Sequence, residues 1–192
     1  IVMVGLASGL VLGTLGFTHA SIEDVGAIRS VPNINIISPS DCLETVKSVQ
    51  ASLKSNNPTY IRLTGGQMNE IVYEDDYNYK IGKAIKLRNG NDIAIVACGT
   101  RVRDAIDAVD LYYENFKKKI SVYNFHTIKP IDKDTILEMS KKYRYILSFE
   151  EHNIIGGLSS SISEVLATLN TSTRLFAFGM PDLYPKGGEY HH

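Results

Sequence analysis

Short runs rich in β-branched residues alternate with longer amphipathic stretches along the chain, and that alternation narrows the fold more than any single motif. The runs are IVMVG from Ile1, NINIIS from Asn33, TYIRLT from Thr59, KAIKLR from Lys83, DIAIVACG from Asp92, ISVYNF from Ile120, RYILSF from Arg144 and RLFAFG from Arg174. Helices are predicted between them at 21–31, 41–54, 101–118, 132–142 and 157–169. Helices of that length can carry the chain from one parallel strand to the next. The expected fold class is therefore α/β: two doubly wound, mostly parallel sheets flanked by helices, the first truncated at its N-terminus.

Local signals set the boundaries. Ser21 followed by Asp24 has capping-box spacing, and Pro32 stops that helix. Pro39-Ser40-Asp41 opens the next one. In 101–118, Val102, Ala105, Ile106, Val109 and Tyr113 recur near helical spacing and predict one buried stripe. The stretch GGQMNEIVYEDDYNYK, 65–80, is polar, led by glycine and short of period, so it reads as a linker. The expected division is 1–66, a linker at 67–80, and 81–192.

Composition removes several function classes. The 192 residues carry a net charge of −1 and no basic stripe, which speaks against nucleic acid as a partner. The run Lys117-Lys118-Lys119 reads as a solvated helix end, where cations are favoured. Cys42 and Cys98 stand in no metal-ligand spacing and read as buried thiols in a reducing, cytoplasmic setting. The segment before Glu23 is uncharged, with Gly5, Gly9 and Gly13 at the four-residue spacing of some membrane helices. It has no flanking Lys or Arg, and three glycines weaken a helix, so it reads as a buried strand entering a glycine-rich loop. Ile1 falls inside that strand without an initiator methionine, and the protein is expected to begin upstream.

Ligands of α/β sheets gather at the carboxyl ends of strands. The loop at 5–20 is such a place, and His19 stands at its end, where an imidazole could exchange a proton with a substrate oxygen or simply serve as a hydrogen-bonded structural group. Arg62 lies inside an apolar strand before Gly65-Gly66, either in a buried ion pair or as a fork for a phosphate or carboxylate. FEEHNIIGGLSSSISEVL places Glu150, Glu151 and His152 before Gly156-Gly157. It lacks the HExxH spacing and the P-loop lysine, leaving a helix cap or a backbone anion site. His126-Thr127-Ile128-Lys129-Pro130 reads as a turn into a helix.

These residues also carry a family resemblance. Gly16-Phe17-Thr18-His19, Glu23-Asp24, Arg29-Ser30-Val31-Pro32-Asn33 and Pro39-Ser40-Asp41 with Glu44 resemble the late part of the pyrimidine-binding domain of the transketolase family. YIRLTGG resembles that domain's closing strand. HTIKPID, EEHNIIGGLSSSISEVL and GMPDLYPKGGEY resemble the transketolase C-terminal domain. The resemblance spans essentially the whole chain and favours the split, two-gene type.

It implies a thiamine-diphosphate enzyme that moves a two-carbon ketol unit between sugar phosphates. Active sites would form between subunits, in a homodimer or with an N-terminal cofactor-binding subunit. It implies a catalytic His19 touching the donor hydroxyls or the enamine-derived intermediate, with Thr18 beside the substrate and Arg62 on its phosphate. Mg2+ and thiamine diphosphate would be held mainly upstream of Ile1, so no metal ligand or cofactor residue is assigned here, and 1–192 alone is expected to turn nothing over. Ala7 and Leu15 stand where full-length transketolases usually have His and Asp, which leaves the sugar open. A 1-deoxyxylulose-5-phosphate synthase-like enzyme and a non-catalytic dimerisation or regulatory unit are the alternatives.

Overall fold

A computed structural model of the chain describes residues 1–64 and 70–188. The strands are β1 Val2–Gly5, β2 Asn35–Ile37, β3 Thr59–Arg62, β4 Ile85–Arg88, β5 Ile93–Ala97, β6 Ser121–Asn124, β7 Thr127–Lys129, β8 Tyr145–Asn153 and β9 Arg174–Met180. The helices are α1 Asp24–Arg29, α2 Cys42–Leu53, α3 Arg101–Phe116, α4 Lys133–Lys142 and α5 Leu158–Leu166, and Gly13–His19 forms a 3-10 turn.

Two sheets result, ordered β1-β3-β2-β7 and β4-β6-β5-β8-β9. In the first, β3 lies between β1 and β2 and runs parallel to both. In the second, β6, β5, β8 and β9 are parallel and β4 is antiparallel at the edge. This is the expected α/β class. One cluster of buried side chains joins the two sheets, with Val25, Ile36 and Tyr60 packed among Val96, Phe125, Ile146 and Leu158.

Helix α2 shows why its boundaries were readable. Asp41 accepts from Glu44 N at 2.8 Å as N-cap, and the Glu44 carboxylate returns to Ser40 N at 2.7 Å. Helix α1 is shorter than its sequence signal and lacks the expected capping box. Ser21 N and O are bridged to Gly9 O and N, which holds Ser21 extended, away from a cap position.

Four further expectations are corrected. β1 is an edge strand with Met3 and Val4 exposed, not a buried one, because among the described residues only β3 pairs with it. The segment at 126–130 is not a plain turn: β7 adds antiparallel to β2 and carries the second half of the chain into the first sheet. The α3 stripe stops at Val109. Tyr113 faces outward, with the ammonium groups of Lys117 and Lys119 over its ring. Cys42 is exposed, and only Cys98 is buried, its thiol pushed up to about 12, chiefly by burial.

Of the expected linker, 65–69 lies outside the described residues. Its remainder is not a free spacer. Val72 N and Tyr73 N donate to Asp41 Oδ2, and Tyr77 Oη donates to Glu44 Oε1 at 2.9 Å. Tyr73 stacks on Tyr77 with centroids 4.0 Å apart, and Tyr79 on His126 at 4.3 Å. Asn124 Nδ2 from β6 closes on both Glu44 and Tyr73 Oη at 2.9 Å. Burial raises the Glu44 carboxyl above its ordinary value, opposed by the donors Asn124, Ser40 and Tyr77.

Candidate functional site

The glycine-rich loop leaves the carboxyl end of β1 and is shaped by backbone that few side chains tolerate. Gly9 has φ 77° and Gly16 φ 68°. A Cβ on Gly9 would stand 2.5 Å from Glu151 Oε1. The base of the loop is tied to the end of β3, with Ser8 N and Ser8 Oγ donating to Leu63 O at 3.1 and 2.9 Å. Its middle is tied to β8, where Glu151 accepts from Leu10 N at 2.5 Å, Thr100 Oγ1 at 2.8 Å and Arg101 Nη2 at 3.0 Å.

His19 ends the 3-10 turn and is exposed. Thr18 Oγ1 donates to Leu15 O at 3.2 Å and lies 2.9 Å from His19 Nδ1. Nδ1 donates to that hydroxyl or accepts from it according to the ring's tautomer, and the exposed imidazole can accept a hydroxyl proton or a hydrogen bond. The structure thus brings His19 and Thr18 together.

Arg62 is elsewhere. It is 4% exposed and makes the ion pair that the sequence left open. Its Nε sits 2.9 Å from Asp24 Oδ2, and its Nη2 donates to Ser21 O and Glu151 O at 2.9 Å each. Burial works against the guanidinium charge, and Asp24 more than offsets it, leaving the pKa raised. Asp24 also accepts from Tyr60 Oη at 2.8 Å. The direct phosphate contact implied by the resemblance therefore meets a committed, covered side chain. Arg62 also holds the backbone two residues beyond His19, through Ser21 O.

The Glu150-Glu151-His152 run continues β8, and a turn at 154–156 leads into α5. Glu150 accepts from Leu158 N at 2.6 Å and Ser159 N at 2.9 Å, so the α5 N-terminus already holds the chain's own carboxylate. His152 lies 2.6 Å from Asn153 O through Nδ1 and accepts from Gly26 N at 3.2 Å through Nε2, which fixes it as a structural histidine. A cavity of about 430 Å3 opens at the carboxyl ends of the first sheet, lined by Leu6, Pro39, Cys42, Thr64 and Thr100 among others. Asp24 and Glu151 are the supporting residues that sequence reasoning missed. Asp24 was legible only as a helix-start charge, and Glu151 only as one acidic residue of the run before Gly156-Gly157.

Among the described residues no group of three or more His, Cys, Asp or Glu side chains could hold a metal ion. No helix among the described residues is long and apolar enough to cross a membrane.

A mixed four-stranded sheet with a glycine loop and an exposed histidine, packed with a five-stranded mixed sheet, is an α/β arrangement. The chain belongs to the transketolase family: residues 1–69 match its pyrimidine-binding domain and 82–192 its C-terminal domain. It is 36% identical over 180 residues to one of the subunits of an apulose-4-phosphate transketolase from Actinobacillus succinogenes, covering 94% of this chain and 57% of that protein. It is 30% identical over 189 residues to a putative transketolase C-terminal section of Methanocaldococcus jannaschii, covering 97% and 58%. A 1-deoxy-D-xylulose-5-phosphate synthase of Caldanaerobacter subterraneus is 31% identical over 179 residues, 93% of this chain and 29% of that enzyme.

Among solved structures, a split-gene transketolase described as an inactive beta4 tetramer superposes with a TM-score of 0.84 at 27% identity, over 95% of this chain and 58% of that one. A Pichia stipitis transketolase at 23% identity, with a TM-score of 0.71 over 98% and 26%, shares the fold. The chain thus spans little more than half the length of the split relatives that it matches. Transketolases and deoxyxylulose-phosphate synthases are thiamine-diphosphate-dependent families.

Proposed function

We propose that this chain is the C-terminal section of a thiamine-diphosphate-dependent transketolase-like enzyme that transfers a two-carbon ketol unit between sugar phosphates. Residues 1–66 supply the late part of the pyrimidine-binding domain, 67–80 join it to the second domain, and 81–192 form the C-terminal domain. The observation that carries the reading is the exposed His19 at the tip of a tethered glycine loop, its Nδ1 held by Thr18. Nε2 faces the sugar hydroxyls and accepts or returns their proton. Arg62, locked to Asp24, holds the backbone behind it.

Cofactor and Mg2+ come from residues outside this chain, in a homodimer or in an N-terminal subunit, and the complete enzyme works in the cytoplasm. Split relatives that contain a stretch similar to this chain support a separate cofactor-binding partner. Ala7 and Leu15 remove two polar side chains from the loop and favour a donor or acceptor other than those of full-length transketolases. The test joins the chain to its cofactor-binding half with thiamine diphosphate and Mg2+. Ketol transfer from xylulose 5-phosphate to erythrose 4-phosphate or glyceraldehyde 3-phosphate is then followed. Transfer supports the reading. Reaction only with pyruvate as donor replaces it with the deoxyxylulose-phosphate synthase type. No reaction with any donor leaves a regulatory subunit.

A further inference from the structure

The 3-10 turn that presents His19 is covered by the other end of the chain. After β9 the backbone leaves the second sheet, with Ile154 N donating to Met180 O at 2.9 Å, and runs over the turn. Gly188 N donates to Gly13 O at 2.9 Å. Gly16 and Gly187 pass where neither has a side chain. A Cβ on Gly16 would stand 3.2 Å from Gly187 N, and one on Gly187 would stand 3.3 Å from Thr14 O. Gly16 is buried although Leu15, Phe17, Thr18 and His19 around it are exposed. One residue beyond Gly16, the Phe17 ring meets Tyr184 with centroids 6.2 Å apart and planes tilted by 50°.

We propose that residues 181–188 are a strap that sets the position of His19, with Tyr184 as its positioning residue. The proposal rests on the function read above for His19. The two attachments of the loop differ in kind. At Leu10, the buried carboxylate of Glu151 is fixed by Thr100 and Arg101, so that end is rigid. At 13–17, the hold among the described residues is one backbone hydrogen bond, one close glycine approach and one ring pair whose members are each 61% exposed. Contacts of that sort open readily, and segments held by them belong to the low-stability end of a fold. An exposed aromatic pair contributes little to global stability. Its geometry, however, decides where Phe17, and His19 two residues on, sit relative to the sugar. Misplacement of a substrate-positioning group by about 1 Å can cost on the order of 100-fold in rate. The C-terminal domain thereby reaches the reacting end of the substrate through a segment that touches no substrate itself.

The test uses the complete enzyme carrying Tyr184→Ala or Tyr184→Phe. Tyr184→Ala should raise the KM of the ketose-phosphate donor about tenfold, with a smaller change in kcat, and should speed amide hydrogen exchange across 13–19. Its melting temperature should stay at the wild-type value, since the ring is largely exposed. Tyr184→Phe keeps the ring contact and should restore both readouts. Unchanged exchange at 13–19 in Tyr184→Ala overturns the strap, as does faster exchange with an unchanged donor KM. If His19→Ala leaves transfer intact, the functional reading has failed, and the exchange result alone then decides whether the strap exists.

Discussion

Arg62 Nη2 donates to the carbonyl of Ser21 at 2.9 Å, so a buried cation in β3 holds the backbone two residues beyond the exposed His19. The same nitrogen donates to Glu151 O in β8, and one guanidinium thereby fastens the glycine loop to the second sheet. The ion pair that the sequence offered for Arg62 is formed with Asp24.

Asp24→Ala should therefore destabilise the fold far more than an ordinary helix-start substitution. It removes the partner of Arg62 and the acceptor of Tyr60 Oη while leaving the cation buried. The expected cost is about 3–5 kcal/mol, read as a fall in the denaturation midpoint. A change under about 1 kcal/mol would mean that Arg62 finds solvent or another partner.

Gly157→Ala tests the cap on α5. The added Cβ would press on Glu150 Oε2 and stand 2.8 Å from His152 Nδ1. Glu150 would have to leave the amides of Leu158 and Ser159, at an expected cost of about 1–3 kcal/mol. Equilibrium unfolding measures it, and wild-type stability would show that the cap is dispensable.

His126 should make stability depend on acid. Burial lowers its pKa to about 4, partly opposed by a backbone hydrogen bond and by Asp132. The folded chain keeps the ring neutral while the unfolded chain protonates it near pH 6.5. Its contribution is thus fully present above about pH 6.5 and is lost as pH falls toward 4, on the order of 3 kcal/mol in all. His126→Phe retains the ring against Tyr79 and should flatten the stability profile in that window. Equal slopes for the two proteins would refute the assignment.

Much of the fold was legible because its signals are local. Pro39-Ser40-Asp41 announces the start of α2, and the apolar stripe from Val102 to Val109 announces α3. Partners distant in sequence were not legible. Thr127–Lys129 joins the first sheet only because β2 offers an edge, and no pattern within HTIKP states that. Tyr73, Tyr77 and Tyr79 looked like linker residues, yet they close on Glu44 and His126. At the candidate site, the loop position of His19 left a structural and a proton-exchanging reading open, and only the family resemblance chose between them. The commitment of Arg62 to Asp24 was not legible, since a lone arginine in a strand states its need for a partner without naming one.

The central claim is that Nε2 of His19 meets the sugar. Its most direct test is the donor kcat/KM of His19→Ala in the complete enzyme, alongside cofactor affinity and melting temperature. The account predicts a fall of about 100-fold or more, with cofactor affinity and melting temperature unchanged because the ring is exposed and bonded only to Thr18 among its described hydrogen-bond partners. A variant that transfers the ketol unit at the wild-type rate would contradict it.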